Sequence, residues 1–135
     1  MIKIKQNSVQ KGFTLLEMLI VLAIISIVIT IASISYSTAQ KKSRDSRRKS
    51  DLKVIQNAFE QYYSVCGYSY PVSSSGFVPT IGCSNPATVF LPTVPADPKG
   101  GTPYLMPTSS SSMYRICSYL IESESPTGYC LSNQQ

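Results

Sequence analysis

The feature that most constrains this chain is a run of 23 residues, Met18 to Gln40, that contains no charged side chain. As an α-helix, a run of this length can cross the roughly 30 Å hydrocarbon core of a bilayer. One acid, Glu17, stands directly in front of it. A carboxylate at the edge of a membrane costs up to about 3 kcal/mol unless a positive group neutralises it. The pattern therefore predicts a membrane-spanning helix whose acid needs a partner from elsewhere.

The helix is predicted to continue past this run, because neither Gly nor Pro occurs between Phe13 and Cys66. From Leu52 onward the apolar residues recur at intervals of three and four, which predicts an amphipathic helix with one buried face. This apolar stripe consists of Leu52, Ile55, Phe59, Tyr62 and Cys66, widened by Val54, Ala58 and Tyr63. The residues between them are polar: Lys53, Gln56, Asn57, Glu60 and Gln61.

The composition changes at Gly67. All nine prolines lie between Pro71 and Pro126, which excludes further long helices. Short β-type runs occur at Tyr104–Met106, Met113–Ile121 and Tyr129–Ser132, with polar loops at Ser73–Gly76, Ser109–Ser112 and Glu122–Gly128. The expected fold class is α+β, with a long N-terminal α-helix packed on a small C-terminal antiparallel β-sheet. The expected segments are a leader peptide (1–12), a transmembrane helix (13–40), a basic and then amphipathic helix (41–66) and a small globular β region (67–135).

Four cysteines, Cys66, Cys83, Cys117 and Cys130, all follow the apolar run. An even number of cysteines in a small, Pro-rich and exported module predicts two disulfides. We expect Cys66 to pair with Cys83, which lies in the loop that must return over the end of the helix. We expect Cys117 to pair with Cys130 across an antiparallel pair of strands. The spacings do not resemble zinc ligand pairs.

The net charge of +5 is concentrated in two places. Lys3, Lys5 and Lys11 precede the apolar run, and seven bases crowd between Lys41 and Lys53. Asp45 and Asp51 lie among these bases and are expected only to relieve their repulsion. The basic band is either a solvated helix or a binding surface for lipid head groups, nucleic acid or acidic residues of neighbouring subunits. No aromatic residue alternates with the bases, so the sequence gives DNA binding no support.

The sequence contains no His and no Trp, which removes the usual general base and the commonest metal ligand. No acids are paired in the globular half, and no residue stands where it would activate a serine. We therefore expect no enzymatic activity, no cofactor and no metal. Four tyrosines near the end of the helix are expected to pack in and around the core, with a carbohydrate-binding patch as the alternative: Tyr62, Tyr63, Tyr68 and Tyr70.

The segment KGFTLLEMLIVLAIISI, Lys11 to Ile27, closely resembles the class III signal of type IV pilins and type II secretion pseudopilins. The resemblance implies cleavage between Gly12 and Phe13 by the prepilin peptidase and N-methylation of Phe13. It also implies that Glu17 pairs with the amino terminus of an adjacent subunit. The implied partners are further copies of this chain, other pilins and the inner-membrane assembly machinery.

A second, weaker resemblance to major pseudopilins lies in VPADPKGGTPYL, Val94 to Leu105. Some members of that family bind calcium, for which Asp97, Glu122 and Glu124 are the candidates here. These acids are few and scattered, so we favour a Pro-fixed turn that leads into the first strand.

The sequence departs from the family in two respects. Many type IV pilins have a glycine and a proline in the apolar helix, and Ser26 and Ile34 stand at those positions here. The resemblance therefore does not carry over the partial unwinding of that helix. The basic band also gives more positive charge after the apolar run than before it, against the positive-inside rule. The processing motif and the cysteines favour the family's orientation.

The resulting hypothesis is a structural subunit of a type IV pilus-like filament, with roles in adhesion, motility or DNA uptake. It would be a single-pass membrane protein before assembly and part of an extracellular filament afterwards. The first alternative is a pseudopilin of a type II secretion system, located in the periplasm or envelope. The second is an anchored surface module that does not polymerise.

Overall fold

The computed structural model describes residues 12–123 and 128–135. One helix, α1 (Leu15–Val65), is followed by five short strands: β1 (Ile81–Ser84), β2 (Ala87–Leu91), β3 (Leu105–Ser109), β4 (Tyr114–Ser118) and β5 (Tyr129–Ser132). The chain divides into two compact units, with the boundary between Ser37 and Thr38. The α+β fold class is confirmed.

The first unit contains the apolar part of α1. Its described large apolar side chains are exposed on all sides of the helix. The hydroxyls of Ser26, Thr30 and Ser33 donate to the carbonyl oxygens four residues earlier, at 2.7 to 2.9 Å. These bonds satisfy the polar groups inside the helix itself, so they do not interrupt its apolar surface.

The second unit is built around the inner face of α1. Leu52, Ile55, Ala58 and Phe59 are buried, and they share one core with residues from the loops and sheets. The loop and strand members of that core are Tyr70, Val78, Ile81, Tyr104, Met106, Tyr114 and Ile116. The predicted stripe is thus largely confirmed. The prediction for Val54 was wrong, because this side chain is 47% exposed on the opposite face.

Gln56 also differs from the prediction, since it is buried rather than exposed. Its side-chain amide donates to the carbonyl oxygen of Ser132 at 2.7 Å, which ties the C-terminal strand to the helix. One turn later Glu60 accepts hydrogen bonds from the hydroxyls of Tyr70 (3.0 Å) and Tyr114 (2.8 Å). Polar side chains therefore join the apolar stripe in holding the sheet on α1.

The strands form two antiparallel sheets rather than one. β1 and β2 form a hairpin, and β3, β4 and β5 form a three-stranded sheet in that order. The hairpin was not predicted from the sequence, and the run Tyr104–Met106, predicted to lead the first strand, lies instead at β3. The predicted run Met113–Ile121 is longer than β4, which ends at Ser118.

The turn into β5 depends on Gly128. Its φ of +77° lies in the left-handed region, and a Cβ there would collide with the carbonyl oxygen of Ser118. Only glycine combines this backbone conformation with so close an approach to β4. The predicted loop Glu122–Gly128 lies partly outside the described residues, which omit 124–127.

The cysteines lie in the two pairs that the sequence predicts. Cys66, just after α1, is joined to Cys83 in β1, with their Cα atoms 6.1 Å apart. Cys117 and Cys130 face each other in the register of β4 and β5, with their Cα atoms 4.1 Å apart. The first disulfide connects the end of the helix to the hairpin, and the second cross-links the three-stranded sheet.

We expect non-reducing peptide mapping of the full chain to recover these two linkages. The sequence separations are 17 and 13 residues, so each bridge should contribute about 3 kcal/mol to the free energy of unfolding by the chain-entropy estimate. The double variants Cys66→Ser/Cys83→Ser and Cys117→Ser/Cys130→Ser should each lose about this amount in denaturant titrations. A Cys66–Cys117 linkage, or four free thiols, would contradict the assignment.

Candidate functional site

The predicted processing segment lies at the start of α1. Gly12 is exposed, and a Cβ built on it would meet nothing within 4 Å. The side chain of Phe13 is also exposed, at 78%. Both residues precede the first helical residue, Leu15. The peptide bond between them thus lies in open, non-helical backbone, which is the form a protease needs.

Thr14 and Glu17 form the N-terminal cap of the helix. The backbone N–H of Glu17 donates to Oγ1 of Thr14 at 3.2 Å, which satisfies one of the free N–H groups of the first turn. Thr and Glu at this spacing are the residues of a capping box, and a negative charge in the first turn also interacts favourably with the helix dipole. Glu17 therefore has a local role in starting the helix in addition to the pairing that the resemblance implies.

The segment after Glu17 has the length and composition of a membrane-spanning helix. The most apolar 18-residue window of α1 has a mean hydropathy of 2.8, and none of that window is buried inside the chain. The apolar surface is therefore available to lipid or to other helices.

A buried ion-pair cluster lies in the second unit, around Arg48. Its guanidinium donates two hydrogen bonds to Asp97, from Nε to Oδ2 at 2.6 Å and from Nη2 to Oδ1 at 2.9 Å. Its Nη1 also donates to Asp45 at 2.8 Å and to Glu122 at 3.1 Å. Arg44 makes a second two-bonded pair with Glu122, at 2.7 and 2.9 Å. We call these five residues the Arg48 cluster.

The cluster is nearly balanced in charge and well supplied with hydrogen bonds. Three carboxylates face two guanidiniums, and Nζ of Lys99 lies 3.6 Å from Glu122 as a third positive group. The carboxylate of Asp45 accepts bonds from the backbone N–H groups of Glu122 and Ser123 and from the hydroxyl of Ser123. Because these partners satisfy the buried charges, the cluster can exist in the interior.

The same contacts displace the pKa values of the acids. The hydrogen bond from Arg44, together with Arg48, lowers the pKa of Glu122 to about 2. Burial by itself would raise the pKa values of Asp45 and Asp97, but their hydrogen bonds outweigh burial and lower both. The pKa of Arg48 is raised, chiefly by Asp97. All members are therefore charged at neutral pH.

This cluster corrects the expectation for Asp45 and Asp51. Neither acid simply dilutes the basic band: Asp45 is buried on Arg48, and Asp51 accepts the hydroxyl of Tyr104 at 2.8 Å. The spacing of residues in the sequence could have indicated that Asp45 is buried. Asp45 and Arg48 continue the spacing of Leu52 and Ile55 toward the N-terminus, at intervals of three and four, so they lie on the buried face.

The calcium candidates are only partly brought together. Asp97 and Glu122 meet in the cluster, but their oxygens are occupied by the guanidiniums of Arg48 and Arg44, and Glu124 lies outside the described residues. Within residues 12–123 and 128–135, no group of three or more His, Cys, Asp or Glu side chains could hold a metal ion.

Comparison with known proteins finds a match in the N-terminal segment. The family described as the prokaryotic N-terminal methylation motif matches residues 7–33. The type IV major pilin protein PilA of Myxococcus xanthus (strain DK1622) is 36% identical over 77 residues, covering 56% of this chain and 35% of that protein. The type II secretion system core protein G of Escherichia coli (strain K12) is 24% identical over 117 residues, covering 81% of this chain and 80% of that protein.

The chain thus spans about a third of the length of the Myxococcus relative and most of the length of the Escherichia one. No solved structure matches it. The chain is thus similar to type IV pilins and type II secretion pseudopilins, and its residues 7–33 carry the N-terminal methylation motif.

Replacing Arg48 should strongly destabilise the second unit. Arg48→Met would leave Asp45 and Asp97 buried without their cation, and breaking a buried pair in this way costs about 3–5 kcal/mol. Arg47→Met is the matched control, because Arg47 is exposed and should change stability by no more than about 0.5 kcal/mol. Denaturant titrations of both variants make the comparison. Equal effects would contradict a buried role for Arg48.

The stability of the second unit should also fall in acid. The folded pKa of Glu122 is about 2, below its ordinary 4.5, and the pKa values of Asp45 and Asp97 are lowered as well. The unfolded state therefore binds more protons at low pH, so the stabilisation is complete above about pH 4.5 and is lost as the pH falls toward about 2. Denaturant titrations between pH 7 and pH 2 should show this loss. Stability that rises over the acid range would rule it out.

Proposed function

We propose that this chain is the structural subunit of a type IV pilus-like filament. In this proposal it is cleaved after Gly12, N-methylated on Phe13 and polymerised through the apolar part of α1. The observation that carries the proposal is the segment Gly12–Glu17, where an open Gly–Phe bond, a helix start and an acid precede an apolar helix that is exposed on all sides. The family match over residues 7–33 supports it.

Cleavage would create the partner that Glu17 needs. Removing residues 1–12 gives Phe13 a free amino group, which remains positively charged after N-methylation. In an assembly of identical helices, the amino group of one copy can neutralise Glu17 of its neighbour. This pairing would offset the cost of a carboxylate among apolar side chains. It would also set the register between adjacent subunits.

The expected sequence of locations follows from the same features. Before assembly the chain would be held in the inner membrane by its apolar helix, where the peptidase and the assembly machinery would act on it. After assembly the helix would lie among those of other subunits. The second unit would then be displayed outward, where its two disulfides suit an oxidising environment. We propose a structural role without enzymatic activity.

A secretion pseudopilin is the second candidate. The alignment with core protein G extends over four fifths of both chains, whereas the more identical alignment with the major pilin is shorter. Filaments sheared from the cell surface that contain the mature chain would favour the pilus. A chain confined to the envelope and needed for protein secretion would favour the pseudopilus. An anchored module that does not polymerise would yield neither.

Filament incorporation should depend on the charge of Glu17. Glu17→Val should keep the protein in the membrane while its amount in sheared filaments falls at least tenfold. Glu17→Gln is the informative control, because it keeps a polar side chain at the capping position but cannot neutralise an amino group. We expect Glu17→Gln to fail as well.

Mass spectrometry of the mature terminus accompanies these assays. Both variants should still begin at Phe13, whereas Gly12→Val should retain the leader. If Glu17→Gln assembles normally, Glu17 acts through the helix cap alone and the pairing is wrong. A mature terminus other than Phe13 would overturn the processing site.

A further inference from the structure

The part of α1 in the second unit has a strongly basic outer face. At 100° per residue, Lys42, Arg47 and Lys53 fall within an arc of about 140°. All three side chains are exposed, and the exposed residues between them on this arc are uncharged: Ser43, Ser46, Ser50, Val54 and Asn57. We call this surface the outer basic face. It lies opposite the inner face that carries Asp45 and Arg48.

The acids of the same segment do not reach this face. Asp45 is buried in the Arg48 cluster, and Asp51 is half-buried against Tyr104. The outer basic face of this segment therefore carries cations and no acid. Lys53 is held by the side-chain oxygen of Gln56 at 3.2 Å, which is neutral and leaves its charge uncompensated.

The described acids of the second unit are bound within their own unit. Each accepts hydrogen bonds from its own chain. Asp45, Asp97 and Glu122 belong to the Arg48 cluster, while Asp51 and Glu60 bind tyrosine hydroxyls. Glu124 lies outside the described residues, and Glu17 belongs to the first unit. Among the described residues no ion pair joins an acid to Lys42, Arg47 or Lys53, so the outer basic face can bind an anion from outside the chain.

We propose that the outer basic face binds acidic phospholipid head groups. Lys42 follows the uncharged run Met18–Gln40 by two residues in sequence. In a membrane-inserted chain, the outer basic face would therefore begin at the level of the head groups. Clusters of bases beside a membrane helix are attracted to anionic lipid surfaces. Single-stranded nucleic acid would need aromatic side chains among the bases, and this face has none among its residues.

The interaction would act on the chain before assembly, so it rests on the membrane residence included in the proposed function. It would hold the helix segment after the apolar run close to the membrane surface. Leaving the membrane for a filament would then require release of these lipids. The surface thus gives the membrane-bound form an anchor that does not use the apolar helix.

The test uses the full processed chain in a neutral detergent, with equal amounts of phosphatidylglycerol and phosphatidylethanolamine added. Native mass spectrometry reports which lipid stays bound. Wild type should retain phosphatidylglycerol preferentially. The variant Lys42→Gln/Arg47→Gln should lose about fivefold of this preference for each cation removed, the factor that corresponds to about 1 kcal/mol.

Arg115→Gln is the matched control for Arg47→Gln, because Arg115 is also exposed but lies in β4. It should leave the preference unchanged. Equal retention of the two lipids by wild type would overturn the proposal, and so would an equal loss in Arg115→Gln. Duplex DNA that displaces the lipid, with the same dependence on Lys42 and Arg47, would assign the face to nucleic acid instead.

These results are separable from those on the filament. The lipid assay uses unassembled protein, so a chain that selects phosphatidylglycerol but never enters filaments rejects only the proposed function. A chain that forms filaments but shows no lipid preference rejects only the lipid site. The variants change exposed side chains, and circular dichroism should confirm that each one is folded.

Discussion

The second unit depends on the buried guanidinium of Arg48. This one group joins three segments that are far apart in sequence: the helix at Asp45, the loop at Asp97 and the segment at Glu122. An arginine suits this position because its planar fork can bind one carboxylate with two hydrogen bonds and still reach two others. Its directional bonds tie the loop at Asp97 and the segment at Glu122 to the helix.

A second set of polar contacts does the same at the other end of the core. Glu60 lies twelve residues after Arg48 on α1 and binds the hydroxyls of Tyr70 and Tyr114. It also accepts the backbone N–H of Gln134 at 3.1 Å. The apolar residues of the inner face, Leu52 to Phe59, lie between these two polar anchors. The helix and sheets are therefore held by apolar packing in the middle and by oriented hydrogen bonds at both ends. The disulfides add covalent cross-links to this arrangement.

The sequence predicted what depends on local periodicity. The apolar stripe from Leu52, the uninterrupted helix and the opposed positions of Cys117 and Cys130 all follow from spacing along the chain. The Arg48 cluster could not be predicted in full, because Asp97 and Glu122 reach it through loops whose path is set by tertiary packing. The hairpin of β1 and β2 was missed because its apolar run is short and follows Pro86. Gln56 was misplaced because a buried amide is recognised only when its acceptor, Ser132, is known.

The cluster also changes how the basic band should be understood. Counted in sequence, the seven bases between Lys41 and Lys53 oppose the orientation that the processing motif implies. In the folded unit, Arg44 and Arg48 are matched by acids from residues 97 and 122, which come much later in the chain. Folding thus divides one basic segment into an inner part, whose arginines pair with acids in the core, and an outer part, whose cations stay exposed. The inner pairs use Asp45, Asp97 and Glu122, and no described ion pair reaches the cations of the outer basic face.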